Sequence, residues 1–288
     1  MRRFALFILV LSLIIGVGTL PTSRVRAGGQ GGNWSTGDCR DDEGNTHNSW
    51  WDHQARVCQL RATTFRMGGD HLGVESNNGG IEVIGEDRHD ISVEARVQAW
   101  AGSESDANDI LHQVTIDTSG DRIHDNGPRF HFGNKGYAVN YKLRVPRHLS
   151  VATKSMNGGI DIAHLEGQIR FDTTNGGVSL SDLAGDVRGQ TVNGGLEIAL
   201  SGDRWQGEGL NAQTTNGGVE LTIPEHYSAH LETGTVNGGI QIDFPITVQG
   251  EIKNHLSTQL GSGGPTIHAE TTNGGVQISR GSAKSATL

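Results

Sequence analysis

The sequence contains few aromatic residues, and this shortage limits the folds that it can form. Phenylalanine, tyrosine and tryptophan together make up 5% of its 288 residues, whereas glycine occurs 43 times, well above its usual frequency. A chain with so few large side chains cannot fill a wide globular core. We therefore expect thin β layers with glycine at their corners.

An excess of basic residues is also absent. The formal net charge is −9, and the first 27 residues contain four arginines and no acidic residue. Removal of this segment would change the formal charge of the remaining chain to −13. An acidic chain repels phosphate backbones, so we do not expect nucleic acid as a partner.

Residues 1–27 predict a cleaved signal peptide. Arg2 and Arg3 precede an apolar stretch that runs from residue 4 to Val17, and Val25-Arg26-Ala27 approximates a small-x-small cleavage site. The apolar stretch of about 15 residues is short for a membrane span of about 20, and an uncleaved anchor is the alternative. We expect a periplasmic, extracellular or cell-surface protein that does not span the membrane after cleavage.

The chain contains only two cysteines, Cys39 and Cys58. In an exported protein they predict a disulfide, which would close a loop of about 20 residues and contribute about 3 kcal/mol. Two free thiols are the alternative. A zinc site with His47 and His53 would match no zinc spacing, so we predict no metal and no cofactor.

Asn-Gly-Gly occurs seven times, and each copy precedes a short segment of alternating apolar and polar residues. The later copies lie 18, 18, 23, 21 and 36 residues apart. A period near 20 is typical of stacked supersecondary units. The asparagines are Asn78, Asn157, Asn175, Asn193, Asn216, Asn237 and Asn273.

The positions around each asparagine repeat as well. Counted from the asparagine, positions +3 and +5 are apolar, position +4 is mostly polar or acidic, and position −2 is always serine or threonine. This pattern predicts a β-solenoid in which asparagine side chains form a ladder, hydroxyls form an inward column and glycine supplies positive φ. An antiparallel meander is the competing fold, because Asn-Gly also favours hairpins.

We predict four segments along the chain. They are the signal peptide (1–27), a Gly-rich lead-in with a disulfide cap (28–66), an N-terminal β region with a short helix near 103–114 (67–150) and the repeat β-solenoid (151–288). Residues 203–209 form an insertion in one unit. The 36-residue interval fits two coils, with residues 261–264 as a degenerate corner.

The repeated Thr-Thr-Asn-Gly-Gly-Val, the Gly185-Asp186-Val187 link and the exported N-terminus resemble the bacterial adhesin-like β-strand-repeat family called domain of unknown function 4097. The resemblance covers roughly residues 72–279. It implies an envelope or secreted β-helical protein, and it carries no catalytic residue to this chain, since the family has no established active site.

We therefore predict a non-catalytic structural or binding module of the bacterial envelope, whose partner is an envelope protein or a glycan. The binding face would combine one long flat polar surface, made by the +4 and −3 columns, with exposed aromatic side chains at Trp205 and Tyr227. Its acidic members are Asp161, Glu197 and Glu220.

A carbohydrate-active enzyme, either a polysaccharide lyase or a hydrolase, is the alternative function. Such enzymes often use β-helices, and hydrolysis requires two carboxylates about 5–10 Å apart. The same three acidic residues of the +4 column are the only candidates that the pattern offers, and a solvated acidic face explains them equally well.

Overall fold

The computed structural model describes residues 34–39, 54–130, 134–245 and 254–281. The predicted signal peptide and most of the predicted cap lie outside these residues. Within them, 21 strands and one helix form two open sheets, which confirms a nearly all-β, solenoid-like fold. No helix in the described part of the chain is long and apolar enough to cross a bilayer.

The first eight strands precede the repeats. They are β1 (Ser35–Asp38), β2 (Ala55–Phe65), β3 (His71–Asn78), β4 (Ile81–Glu86), β5 (Ile91–Ala101), β6 (Thr115–Asp117), β7 (Arg122–Asn126) and β8 (Gly136–Pro146), and helix α1 is Glu104–Gln113. The helix begins after Ser103, whose side chain accepts a hydrogen bond from the backbone N–H of Asp106, as a capping residue does.

The remaining strands contain the later repeats. They are β9 (Ser150–Asn157), β10 (Ile160–Ala163), β11 (Glu166–Asn175), β12 (Val178–Ser181), β13 (Ala184–Asn193), β14 (Leu196–Ala199), β15 (Gly209–Asn216), β16 (Val219–Ile223), β17 (Ala229–Asn237), β18 (Ile240–Ile242), β19 (His255–Leu260), β20 (Thr266–Asn273) and β21 (Val276–Arg280).

Each repeat forms one rung, which consists of a strand, an Asn-Gly-Gly corner and a second strand. The first strand lies in the ten-stranded sheet, called sheet B, and the second lies in the eleven-stranded sheet, called sheet A. Strands of neighbouring rungs pair in parallel and in register, so that Asn175 lies beside Asn193 and Val178 beside Leu196. The repeats therefore stack, and they do not form an antiparallel meander.

The corner asparagines lie in one hydrogen-bonded row, called the asparagine ladder. In each step Nδ2 of one asparagine donates to Oδ1 of the asparagine that precedes it in the row, at 2.8–2.9 Å. The spatial order is Asn78, Asn157, Asn175, Asn193, Asn216, Asn273 and Asn237.

The serine or threonine at position −2 points into the space between the sheets. Thr191 is 1% exposed, and its hydroxyl donates to the carbonyl of Gly176 in the neighbouring rung at 2.8 Å. Five other rungs repeat this bond at 2.7–3.1 Å. The buried hydroxyls thus satisfy carbonyls that a narrow, dry core would otherwise leave unpaired.

The first glycine of the corner is required for a reason that differs from the predicted one. Among these glycines only Gly79 has φ in the positive region. A Cβ at Gly176 would instead lie 2.3 Å from the carbonyl oxygen of Gly158 in the adjacent rung. The expectation that glycine supplies positive φ at the corners is therefore wrong for the repeats, because close approach of stacked backbones decides the residue.

The rungs are not stacked in chain order. Strand β20 lies between β15 and β17 in sheet B, and β21 lies between β16 and β18 in sheet A. Strand β19 pairs antiparallel with β17 at the end of sheet B. Residues 261–264 consequently connect β19 to β20, and the prediction that the 36-residue interval forms two consecutive coils is wrong.

The N-terminal part extends sheet A beyond the first rung. Strands β2 and β5 and strands β5 and β8 pair antiparallel, whereas β8 pairs in parallel with β4. A disulfide joins Cys39 to Cys58, whose Cα atoms are 5.7 Å apart, so free thiols are excluded. Whether residues 28–66 act as a cap stays a prediction.

Candidate functional site

The outer surface of sheet B contains a depression of about 730 Å³, called the sheet B groove. It crosses several rungs, since residues from β3, β9, β11, β13 and β15 contribute to its lining. The side chains and backbone that define it belong to His71, Gly73, Glu75, Asp121, Arg122, Ala152, Thr153, Lys154, Arg170, Phe171, Asp172, Arg188, Gly189, Gln190, Asn211 and Gln213.

Strand register explains the shape of the groove. Gly73 pairs with Ala152, and Ala152 pairs with Arg170 on the following strand. Outward positions of paired strands lie side by side. Gly73 and Ala152, which have almost no side chain, therefore form the floor of the groove beside the long side chain of Arg170. Arg122 pairs with Gly73 on the other side and supplies the opposite wall.

One ion-pair cluster stabilises the arginines at the edge of the groove. The Asp186 carboxylate accepts hydrogen bonds from Arg170 at 2.6 Å and from Arg188 at 2.7 Å. Burial opposes ionisation of Asp186, but these bonds and the two positive charges hold its pKa below the usual range. The arginine side chains are thereby fixed in position rather than free to rotate.

Lys154 differs from these arginines. It is exposed, and no carboxylate of the described residues lies within ion-pair distance of its ammonium group. Its strand neighbour in the same row is Asp172, followed by Gln190 and Gln213. The groove therefore combines planar amides, guanidinium groups, three carboxylates (Glu75, Asp121 and Asp172) and one ammonium group without an ion-pair partner among the described residues.

The acidic +4 column lies on the opposite side of the molecule, on the outer surface of sheet A. Asp161 pairs with Glu82 on one side and Ser179 on the other, and the column continues through Glu197 and Glu220. The −3 column instead faces outward from sheet B. The prediction of one polar face made by both columns is therefore wrong, because the corner between them reverses the chain.

Within this column, the carboxyl group of Asp161 is partly buried. Partial burial, together with the nearby carboxylates of Glu82 and Glu197, raises its pKa above the usual range. None of these three residues lines the sheet B groove.

The two aromatic residues predicted on the binding face are buried. Trp205 is 4% exposed and Tyr227 is 2% exposed. The indole N–H of Trp205 donates to the carbonyl of Gly185 at 3.0 Å, so the insertion folds back onto the stack. Large side chains in a chain with few aromatics are used for packing here, and the prediction of exposed aromatics at these positions is wrong.

A polar cluster links four successive connections on the side opposite the asparagine ladder, and the sequence analysis did not predict it. Nδ1 of His164 lies 2.6 Å from Oδ2 of Asp182, the hydroxyl of Ser201 donates to the other oxygen, and Arg147 lies at 3.6 Å. Serine and histidine both contact the carboxylate, whereas a nucleophilic triad places histidine between the other two. The cluster therefore ties neighbouring corners together. Its sequence signal is spacing alone, since 18 residues separate His164 from Asp182.

A second unpredicted cluster lies inside the N-terminal end of the stack. Asp125 is 6% exposed, and its carboxylate lies beside the hydroxyls of Tyr137 and Tyr141 without a hydrogen bond of ordinary geometry among the described residues. Burial raises its pKa, and burial also raises the pKa of the neighbouring Tyr137 to about 12. The described residues contain no group of three or more His, Cys, Asp or Glu that could hold a metal ion.

Comparison with known proteins identifies the repeat region. Residues 145–279 match the family model of Toastrack DUF4097. The repeat region is similar to this family. The Toastrack region thus begins at the end of β8 and includes both strands of the rung that is inserted out of order.

Solved structures that align with this chain cover 77% of it. One is a "putative cell adhesion protein" from Clostridium sporogenes, with 11% identity, 99% of its own chain covered and a TM-score of 0.43. Another is a "putative adhesin" from Bacteroides fragilis (11% identity, 96% covered, TM-score 0.33). A third is a "putative lipid binding protein" from Parabacteroides distasonis (8% identity, 96% covered, TM-score 0.32). No curated protein matches the chain.

Proposed function

We propose that this chain is an exported, non-catalytic, adhesin-like module of the bacterial cell envelope that binds a glycan in the sheet B groove. The observation that carries the proposal is the groove itself, where a stack in fixed register presents polar side chains above a floor of small residues. The predicted signal peptide supports export. The similarity to Toastrack DUF4097 agrees with a binding module rather than an enzyme.

The chemistry of the lining suits sugar hydroxyls. Planar amide, carboxylate and guanidinium groups can each engage two neighbouring hydroxyl groups, and Gln190, Gln213 and Asn211 provide three amides on adjacent strands. Strands are spaced about 4.8 Å apart, so equivalent side chains repeat at a spacing close to that of one sugar residue. Because Asp186 already orients Arg170 and Arg188, little side-chain freedom is lost when a ligand binds.

Binding to a glycan array tests the proposal with a matched pair of variants. The double substitution Asn211→Ala and Gln213→Ala removes two exposed groove amides, whereas Gln241→Ala with Gln277→Ala removes two exposed amides from sheet A. We expect the groove variant to lose at least about tenfold in affinity, the equivalent of 1.4 kcal/mol, and the sheet A variant to bind like the parent. Equal binding by both variants, or no glycan bound by the parent chain, would contradict the proposal.

Carbohydrate-active catalysis is a second candidate, and the raised pKa of Asp161 favours it. Asp161 and Glu197 lie two strands apart on sheet A, about 10 Å between backbones, close to the separation of an inverting pair. Reducing-sugar release and unsaturated-uronate absorbance would be measured on polysaccharides with the parent chain and with Asp161→Asn. If the parent chain cleaves a polysaccharide and Asp161→Asn does not, the function is enzymatic and the proposal of a non-catalytic binding module is wrong.

A further inference from the structure

The asparagine ladder consists of the dipeptide that is chemically least stable in proteins. In Asn-Gly, the backbone nitrogen of glycine can attack Cγ of the asparagine side chain, because glycine has no Cβ to shield it. The attack forms a five-membered succinimide and expels ammonia. Water then opens the ring to aspartate or isoaspartate. The reaction requires a glycine N–H that is free to lose its proton.

In six rungs the structure engages that N–H. The first glycine of each corner donates to the backbone carbonyl of the next asparagine in the ladder, at 2.9–3.1 Å. The six donors are Gly79, Gly158, Gly176, Gly194, Gly217 and Gly274. Each of these glycines is also partly shielded from solvent. Reaction at any of them first requires local opening of the stack.

The seventh corner is the last step of the ladder and lacks this protection. The hydrogen bonds of the described residues include none from the N–H of Gly238. Asn237, Gly238 and Gly239 are all exposed, and the preceding Val236 is 64% exposed. A Cβ placed on Gly239 would meet no atom within 4 Å, so this corner is open to solvent.

The two ends of the ladder separate the possible causes of reactivity. At the first step, Asn78 accepts a bond from Asn157 but its own Nδ2 donates none within the described residues, while the N–H of Gly79 is engaged at 2.9 Å. At the last step, Nδ2 of Asn237 donates to Asn273 at 2.8 Å, while the N–H of Gly238 has no hydrogen-bond acceptor among the described residues. Among the described residues, the Asn78 end therefore has a side-chain amide that donates no hydrogen bond, and the Asn237 end has a glycine nitrogen that donates none.

We propose that Asn237 is a site of spontaneous deamidation, in which Gly238 supplies the attacking nitrogen. The Gly238 N–Cγ bond forms, the Cγ–Nδ2 bond of Asn237 breaks, and ammonia leaves with the proton from the glycine nitrogen. Water hydrolyses the resulting imide. Both products lack the Nδ2 that donated to Asn273 and carry a new carboxylate, on the side chain in aspartate and at the former backbone carbonyl carbon in isoaspartate. The last ladder bond is therefore lost, and the rung of β17 and β18 is loosened.

Peptide mapping by mass spectrometry tests the proposal on the full chain, incubated in mildly alkaline heavy-oxygen water. Isotope incorporation identifies imides hydrolysed during the incubation. We expect Asn237 to be converted at least about tenfold faster than the other six ladder asparagines, a ratio equivalent to about 1.4 kcal/mol of opening free energy. The rate should fall in mildly acidic buffer, since the glycine nitrogen must be deprotonated.

The chain supplies its own controls. The dipeptide Asn126-Gly127 lies outside the ladder, and no hydrogen bond of the described residues involves the N–H of Gly127, so it should react at a rate similar to that of Asn237. In urea all eight Asn-Gly sites should react at similar rates. Conversion of Asn237 no faster than that of the six protected sites in the folded chain would overturn the proposal. Fastest conversion at Asn78 would also overturn it, because side-chain freedom would then control the reaction.

Discussion

Each rung of the repeat region turns at two corners. One corner has the same sequence and contacts in successive rungs, whereas the other varies. The Asn-Gly-Gly corner repeats the same triplet, the same hydroxyl bond and the same backbone contact in successive rungs. The opposite corner varies in length, from the two-residue turns that begin at His164 and Asp182 to the long insertion that contains Trp205. One edge thus fixes the register of both sheets, and the other edge is consequently free to vary in length and chemistry.

The largest expected effect comes from adding one methyl group at the Asn-Gly-Gly edge. In Gly176→Ala the new Cβ would lie 2.3 Å from the backbone of Gly158, which cannot move without separating two rungs. We expect a loss of about 3 kcal/mol, the upper range for overpacking, measured by urea unfolding. Gly177→Ala is the control, because its Cβ would have 3.6 Å to the nearest atom. Equal losses in both variants would show that backbone contact does not govern this corner.

A smaller effect is expected from the buried hydroxyl column. Thr191→Val keeps the shape of the side chain but leaves the carbonyl of Gly176 without its donor, at a cost of about 1–2 kcal/mol. Thr174→Val changes an exposed threonine on the outer surface of sheet B and should shift the urea midpoint very little. If the two variants unfold alike, the hydroxyl column contributes no more than an exposed surface position.

The smallest effect is expected at the variable edge, and it depends on pH. Burial disfavours the charge on Asp182, but His164, Ser201 and Arg147 together hold its pKa below the usual value. Its contribution to stability is therefore complete above the pKa of the unfolded chain and is lost as pH falls through the lower folded pKa. Asp182→Asn should destabilise the protein at neutral pH, and the difference from the parent should shrink in acid.

Urea unfolding at a series of pH values measures this difference. Ser201→Ala removes one of the donors to Asp182, and its effect should not add to that of Asp182→Asn, since the two residues share a contact. A constant difference between Asp182→Asn and the parent across the pH series would contradict the assigned role of the carboxylate.

Local features of the stack could be predicted from the sequence because each depends on one repeated position. The alternation at +3, +4 and +5 predicts strands, and the hydroxyl at −2 predicts an inward column. The order of the rungs could not be predicted, since Asn237 and Asn273 carry the same motif and either could follow Asn216. Because every rung carries the same Asn-Gly-Gly motif, the motif does not specify which rung stacks on which.

The candidate site was harder to predict than the fold. The floor of the sheet B groove depends on Gly73 and Ala152 lying on adjacent strands although 79 residues separate them in the chain. Trp205 and Tyr227 were misplaced because a loop with an aromatic residue gives no sign of whether it folds back onto the stack. Both errors concern contacts between distant residues, which periodicity does not encode.

The out-of-order rung has a consequence for how the molecule is assembled. As the chain emerges from amino to carboxyl end, β17 and β18 are made before the layer that must separate them from β15 and β16. Residues 229–242 can first dock where residues 266–280 belong, and they must then be displaced. Wherever this early docking occurs, that contact must open before the structure is complete. A chain that ends before residue 266 would lack an internal layer rather than an end.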